Sequence, residues 1–173
     1  MMSELGDRAQ KKLGIELFGP LGDGVFGEVH RTKHGVLKIT RDPLELNLVT
    51  FGLSKSLPGL PRVLSPPTPI YRDFQAYERE ELDDLGWLDQ LLPSRALEQL
   101  GHLTVFREIS MTAYDRIVWH DRDVEREFPE ICEALRAARH QDALVFDLAP
   151  RNLGVRKATG ETVIRDGRMM RLR

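Results

Sequence analysis

The stretch Leu21–Lys38, LGDGVFGEVHRTKHGVLK, constrains the fold more than any other part of the chain. Gly22, Gly24 and Gly27 stand at G-x-G-x-x-G spacing. A backbone without Cβ atoms there can bend closely over a ligand and offer it N–H groups, and a phosphate chain is the simplest ligand to satisfy them. A dinucleotide-binding fingerprint would open a helix at this point. Here the glycines run instead into Glu28-Val29-His30-Arg31, which reads as a strand. Thr32–Gly35 supplies turn residues, and Val36-Leu37-Lys38-Ile39-Thr40 is a second apolar, partly β-branched run. The segment therefore predicts a glycine-rich hairpin feeding another strand, with Val36 and Lys38 on one face.

These residues resemble a known pattern. LGDGVFGEV matches the protein-kinase glycine loop G-x-G-x-x-G-x-V at every fixed position, and VLKI is similar to the V-A-I-K strand that brings a lysine to the ATP phosphates. A Walker-type phosphate loop is excluded, because no G-x-x-x-x-G-K-[ST] occurs and Lys38 is followed by Ile39. Asp42-Pro43-Leu44-Glu45 has the grammar of a helix start, with Asp42 as N-cap, Pro43 at N1 and Glu45 at N3, and a helix over roughly 43–54 follows. The resemblance implies a glutamate on this helix that pairs with the lysine, and Glu45 is its candidate. Glu45 at N3 is also where a capping or dipole-favoured carboxylate belongs, so both readings stand.

A second informative stretch is Leu144–Val155, LVFDLAPRNLGV. It resembles the kinase catalytic loop H-R-D-L-x-x-x-N, with Asp147 and Asn152 at the family spacing and Val145 in place of the histidine. Phosphoryl transfer needs a carboxylate to orient and deprotonate the acceptor hydroxyl, and a neutral oxygen ligand beside it to share a magnesium ion. Asp147 and Asn152 are the candidates, and Arg151 is either a charge-offsetting cation or a surface arginine. Val155 and Thr162–Ile164 flank a turn containing Gly160, predicting a hairpin that delivers Asp166-Gly167. Kinases place a magnesium-binding Asp-Phe-Gly after such a hairpin; here the phenylalanine is missing.

The 173 residues suit one domain or two small lobes, with 41% hydrophobic and 30% charged residues, as in a soluble folded protein. A net charge of −2 gives no reason to expect nucleic-acid binding. The chain is uneven, however. Glu78–Gln90 holds six acidic residues and one basic, and Arg151–Arg173 seven basic and two acidic, both read as solvated faces. Cys132 is the only cysteine, so an internal disulfide and a cysteine zinc cluster are impossible. Met1–Lys12 lacks an apolar signal core and no run approaches the ~20 apolar residues of a membrane span, which points to a cytoplasmic protein without membrane contact.

In chain order, the pattern predicts a short helix over 3–12 capped by Ser3, a strand at Ile15–Phe18, the glycine hairpin, the 43–54 helix, and strands at Leu60–Leu64 and Ile70–Ala76. Glu78–Leu82 then connects to a helical part. There Leu88, Leu91 and Leu92, then Ala96, Leu97 and Leu100, form stripes split by Pro93-Ser94. Leu103–Val118 forms another element, and one helix is expected over Glu127–His140. His120 and His140 have no partner at metal-ligand spacing and are read as structural or exposed.

The expectation is an α+β, protein-kinase-like two-lobe fold: a strand-rich N-lobe over 1–77, a connector at 78–82 and a reduced helical C-lobe over 83–173. The resemblance implies ATP and Mg2+ held between them. Gly22, Gly24 and Gly27 would cover the phosphates, Lys38 would hold the α/β-phosphates, and Val29 and Val36 would line the adenine. Asn152 and Asp166 would hold the metal, and Asp147 would serve the acceptor. The segments that bind peptide substrates in ordinary protein kinases have no counterpart after Gly167, so a partner protein completing the reduced lobe is one expectation. The leading function is protein Ser/Thr phosphorylation, including autophosphorylation. A pseudokinase that uses nucleotide as a ligand, and a small-molecule phosphotransferase, are the alternatives.

Overall fold

A computed structural model describes residues 3–24, 26–85, 94–104 and 109–172. The protein mixes helices with antiparallel sheets, an α+β composition. It divides into two compact units, Met1–Ser54 with Arg62–Glu81, and Lys55–Pro61 with Leu82–Arg173.

The first unit is built on a five-stranded sheet of order β1-β2-β3-β5-β4, from β1 (Pro20–Gly24), β2 (Gly27–Arg31), β3 (Val36–Thr40), β4 (Thr68–Tyr71) and β5 (Phe74–Arg79). Alternation along β3 decides its two faces. Leu37 and Ile39, both fully buried, join Ala76 of β5 and Ala9 and Leu17 in one apolar cluster, flanked by Leu5, Leu13 and Ile15. Ala9 belongs to α1 (Glu4–Leu13), which Ser3 caps by accepting from Gly6 N–H at 2.9 Å, and which ends at Gly14 in the left-handed conformation. The Ser3 hydroxyl also donates to Glu28, whose carboxylate meets His30 Nε2 at 2.7 Å. Val36, Lys38 and Thr40 project to the other face, beside α2 (Pro43–Lys55). Leu48 and Phe51 of α2 are buried.

Two strands expected from the sequence are absent, and one splits. Residues 15–19 are not a strand: only the exchanges Phe18 N to Arg31 O and Arg31 N to Gly19 O tie them to β2. The ladder passes instead to the glycine-rich residues 20–24, where Gly24 pairs with Gly27, Asp23 with Glu28 and Gly22 with Val29. Leu60–Leu64 makes a single bridge, Val63 to Arg79. Ile70–Ala76 turns back at Arg72 and Asp73, with Arg72 at φ 49°, so it spans the β4–β5 hairpin.

The second unit contains α3 (Arg95–Gly101), α4 (Met111–His120), α5 (Arg122–Glu127) and α6 (Pro129–Arg139). A two-stranded sheet pairs β7 (Ala143–Phe146) with β10 (Arg168–Arg171), and a three-stranded one orders β6 (Leu82–Asp84), β8 (Leu153–Arg156) and β9 (Thr162–Ile164) as β6-β8-β9. The helix expected over Glu127–His140 is α6, which begins at Pro129, with Glu127 closing the separate α5. Pro129 disfavours helical backbone in the residue before it, and Phe128 accordingly sits at φ −134°, ψ 54°. Ser94 caps α3 through Leu97 N–H at 3.1 Å. Trp87, Leu88, Leu91, Leu92 and Pro93 lie outside the described residues, and of the element expected over Leu103–Val118 only α4 is described.

Segment 55–61 belongs with the second unit because Gly59 docks against α6. The Gly59 carbonyl accepts from Ile164 N–H at 3.0 Å, and a Cβ built on Gly59 would lie 2.1 Å from the backbone oxygen of Glu130. Gly59→Ala must force the two backbones apart. It should cost about 3 kcal/mol and lower Tm by about 10 °C in a thermal melt, and an unchanged melt would refute the close approach.

Candidate functional site

Lys38 lies mid-sheet, opposite Val29 on β2 and Tyr77 on β5. Its Nζ stands 3.0 Å from Glu45 Oε1, both side chains being close to buried at 13% and 10% exposure. Glu45 Oε1 also accepts from the Tyr77 hydroxyl at 2.7 Å, and Oε2 accepts from Thr40 Oγ1 at 3.1 Å. The carboxylate is thus directed at the sheet. Capping of α2 falls to Asp42, whose Oδ1 accepts from Leu44 N–H at 3.0 Å. Of the two readings open for Glu45, the geometry selects the pair with Lys38. A helix starting two residues after β3 brings its first turn directly over that strand, which is why so short a sequence interval suffices.

The glycines serve unequal ends. A Cβ on Gly27 would sit 1.8 Å from the carbonyl oxygen of Ile39, so glycine is needed for β2 to lie against β3. A Cβ on Gly22 would meet nothing within 4 Å, so packing does not demand glycine there. Gly24 pairs with Gly27 at the end of β1, and Val25 lies outside the described residues. Val29 is half-buried and Val36 is 4% exposed.

In the second unit, β7 delivers Asp147 in the left-handed region, φ 64°. Such a conformation in a non-glycine residue stores strain that its surroundings must hold. Asp147 N–H donates to Leu103 O at 2.7 Å, and Asp147 O accepts from Asn152 Nδ2 at 2.8 Å. Pro150–Asn152 forms a single 3-10 turn leading into β8. The Asn152 carbonyl in turn accepts from Arg165 N–H at 2.7 Å and Asp166 N–H at 3.1 Å. Asp147, Asn152 and Asp166 are therefore laced together through Asn152, which uses its side-chain amide nitrogen and its backbone carbonyl in these contacts. Val145, in the histidine position of the resembled motif, is fully buried, and its N–H donates to the Tyr114 hydroxyl at 3.0 Å. Burial pushes the Tyr114 hydroxyl well above its ordinary pKa, so it stays a neutral partner. Cys132 is buried likewise, its thiol pushed up to about 11, which leaves it unreactive at neutral pH.

Sequence reasoning missed Arg168. Its Nη1 stands 3.2 Å from Asp147 Oδ2, because β10 pairs with β7 in a register that sets Arg168 opposite Phe146. Arg151, the cation proposed from sequence, is exposed, and its carbonyl accepts from Arg165. Arg168-Met169-Met170-Arg171 does not alternate polar with apolar residues, so the sequence carried no period-2 signal for β10, of which Met169 alone is buried.

No group of three or more His, Cys, Asp or Glu suited to a metal occurs among the described residues. One amide oxygen and one carboxylate, from Asn152 and Asp166, fit a magnesium ion that takes most of its ligands from substrate phosphates and water, and do not fit a metal caged by protein alone. No helix among the described residues is long and apolar enough to cross a membrane. No protein-family model matches the chain, and no curated protein is significantly similar to it.

Proposed function

We propose that the chain is an ATP-dependent phosphotransferase with a protein-kinase-like two-lobe architecture, acting as a minimal protein Ser/Thr kinase that includes itself among its acceptors. The observation that carries this reading is the Lys38–Glu45 pair on the sheet entered from the glycine turn: a nearly buried ammonium held at 3.0 Å by a carboxylate from the following helix. Burying such a pair is costly, and a structural need alone would be met as well by apolar residues. In this reading Lys38 aligns the α/β-phosphates, the turn between Gly24 and Gly27 covers them, and Val29 and Val36 line the adenine. Asn152 and Asp166 would hold Mg2+, which supplies charge neutralisation on the phosphates. Asp147 orients the acceptor hydroxyl and takes its proton as the γ-phosphoryl group passes from the ADP oxygen to the acceptor oxygen. Arg168, at 3.2 Å from Asp147 Oδ2, directs that carboxylate.

The 3.2 Å contact of Arg168 with Asp147 also favours a second reading, a pseudokinase that binds nucleotide without transfer because its base is engaged. Incubation with γ-labelled Mg-ATP followed by mass spectrometry separates them. Phosphate added to the parent protein or to a generic protein acceptor, and absent in Lys38→Ala, supports the kinase. Saturable ATP binding with no transfer supports the pseudokinase. Failure to bind ATP removes both.

A further inference from the structure

Helices α3, α4 and α5 line an open cavity of about 440 Å³ in the second unit, which shares no residue with the candidate transfer site. Three arginines, Arg95, Arg116 and Arg122, line it beside two carboxylates, Asp121 and Asp123, together with His120. The carboxylates are already engaged. Asp121 Oδ1 accepts from Asp123 N–H and Val124 N–H, both at 3.1 Å, capping α5, and Asp123 pairs with Arg126 at 2.9 Å. Arg95 reaches Asp123 only at 3.8 Å. The guanidinium groups of Arg116 and Arg122 make no hydrogen bond or ion pair to any described residue. The fourth kind of group is Gln99, whose Oε1 is buried with no donor among the described residues. An amide oxygen in that state costs about 1–3 kcal/mol unless a hydrogen reaches it.

We propose that this cavity binds a small phosphate monoester that carries hydroxyl groups. Two unengaged guanidinium groups, with five fixed donors each, suit a phosphoryl dianion better than a lone carboxylate. Gln99 lines the same pocket, and its amide suits the alcohol groups of a sugar or polyol phosphate, which can donate to it where an inorganic sulfate cannot. The volume lies within the range of small-molecule sites and exceeds what one phosphate ion fills. The site stands on residues separate from the proposed transfer machinery, so it does not depend on that assignment.

Titration calorimetry with glucose 6-phosphate as probe tests it on the intact chain. Saturable binding with a Kd of about 0.1–1 mM is expected, with neither glucose nor sulfate giving saturation at the same concentrations. Arg116→Ala and Arg122→Ala should each weaken binding about tenfold. Both residues are exposed, so their melting temperatures should stay at the parent value. Gln99→Leu should lower affinity about fivefold while leaving the melt unchanged or raised, a combination that a purely structural glutamine would not give. The proposal is overturned by an absence of saturable binding, by equal binding of glucose, by indifference to both arginine substitutions, or by preference for a phosphoserine peptide over the sugar phosphate.

Discussion

Asp147→Asn is expected to lower phosphoryl transfer by about a hundredfold or more while leaving the fold and ATP affinity near those of the parent. The substitution is gentle for a structural reason. Asparagine accepts the left-handed backbone as readily as aspartate, so φ 64° carries no new strain. The bonds that hold the loop use the backbone of residue 147, its N–H to Leu103 O and its carbonyl from Asn152 Nδ2, and both survive. The carboxylate charge is lost, and the contact to Arg168, whose partial exposure limits its contribution to about 1 kcal/mol or less, is weakened. Any large effect on transfer therefore reports proton removal and acceptor orientation. Turnover equal to the parent's would end the assignment of Asp147 as base, and a collapse of ATP binding would show that the residue acts on nucleotide instead.

The parts of this molecule that could be read from the sequence are those in which neighbours in sequence are neighbours in space. The β2–β3 hairpin is fixed by Thr32, which holds the turn by accepting from Gly35 N–H at 3.0 Å, and the β8–β9 hairpin by Gly160 at φ 76°. Within the loop from Asp147 to Asn152, Asn152 bonds back to Asp147 and Ala149, no more than five residues away, although the loop's entry is anchored on the distant Leu103 carbonyl. Misreadings occurred where a distant partner overrode local preference. Residues 20–24 are poor strand formers, yet they are the ones β2 pairs with, and the apolar Ile15 is drawn to the α1 cluster instead. Arg168–Arg171 looks like a basic tail until β7 claims it as a partner twenty-odd residues away. That pairing sets Arg168 beside Asp147, so this site residue depends on a strand partner that its own local sequence does not reveal.

Glu45→Ala is expected to be the most destabilising change in the first unit, by about 3–5 kcal/mol, seen as a lower denaturant midpoint with an unaltered slope. The carboxylate serves three groups at once: Lys38 Nζ at 3.0 Å, the Tyr77 hydroxyl at 2.7 Å and Thr40 Oγ1 at 3.1 Å. Truncation strips a shared acceptor from two buried hydroxyl groups and a counter-charge from a nearly buried ammonium. The double variant Lys38→Met, Glu45→Gln separates the parts of that cost. Glutamine keeps an acceptor for the hydroxyls and methionine removes the ammonium, so stability should return to within about 1 kcal/mol of the parent. If the double variant remains as unstable as Glu45→Ala, the cost lies in hydroxyl geometry or packing and not in the stranded charge. If it recovers fully yet no longer binds ATP, the charged pair is maintained for a ligand and not for the fold, because the same sheet and helix then stand without it.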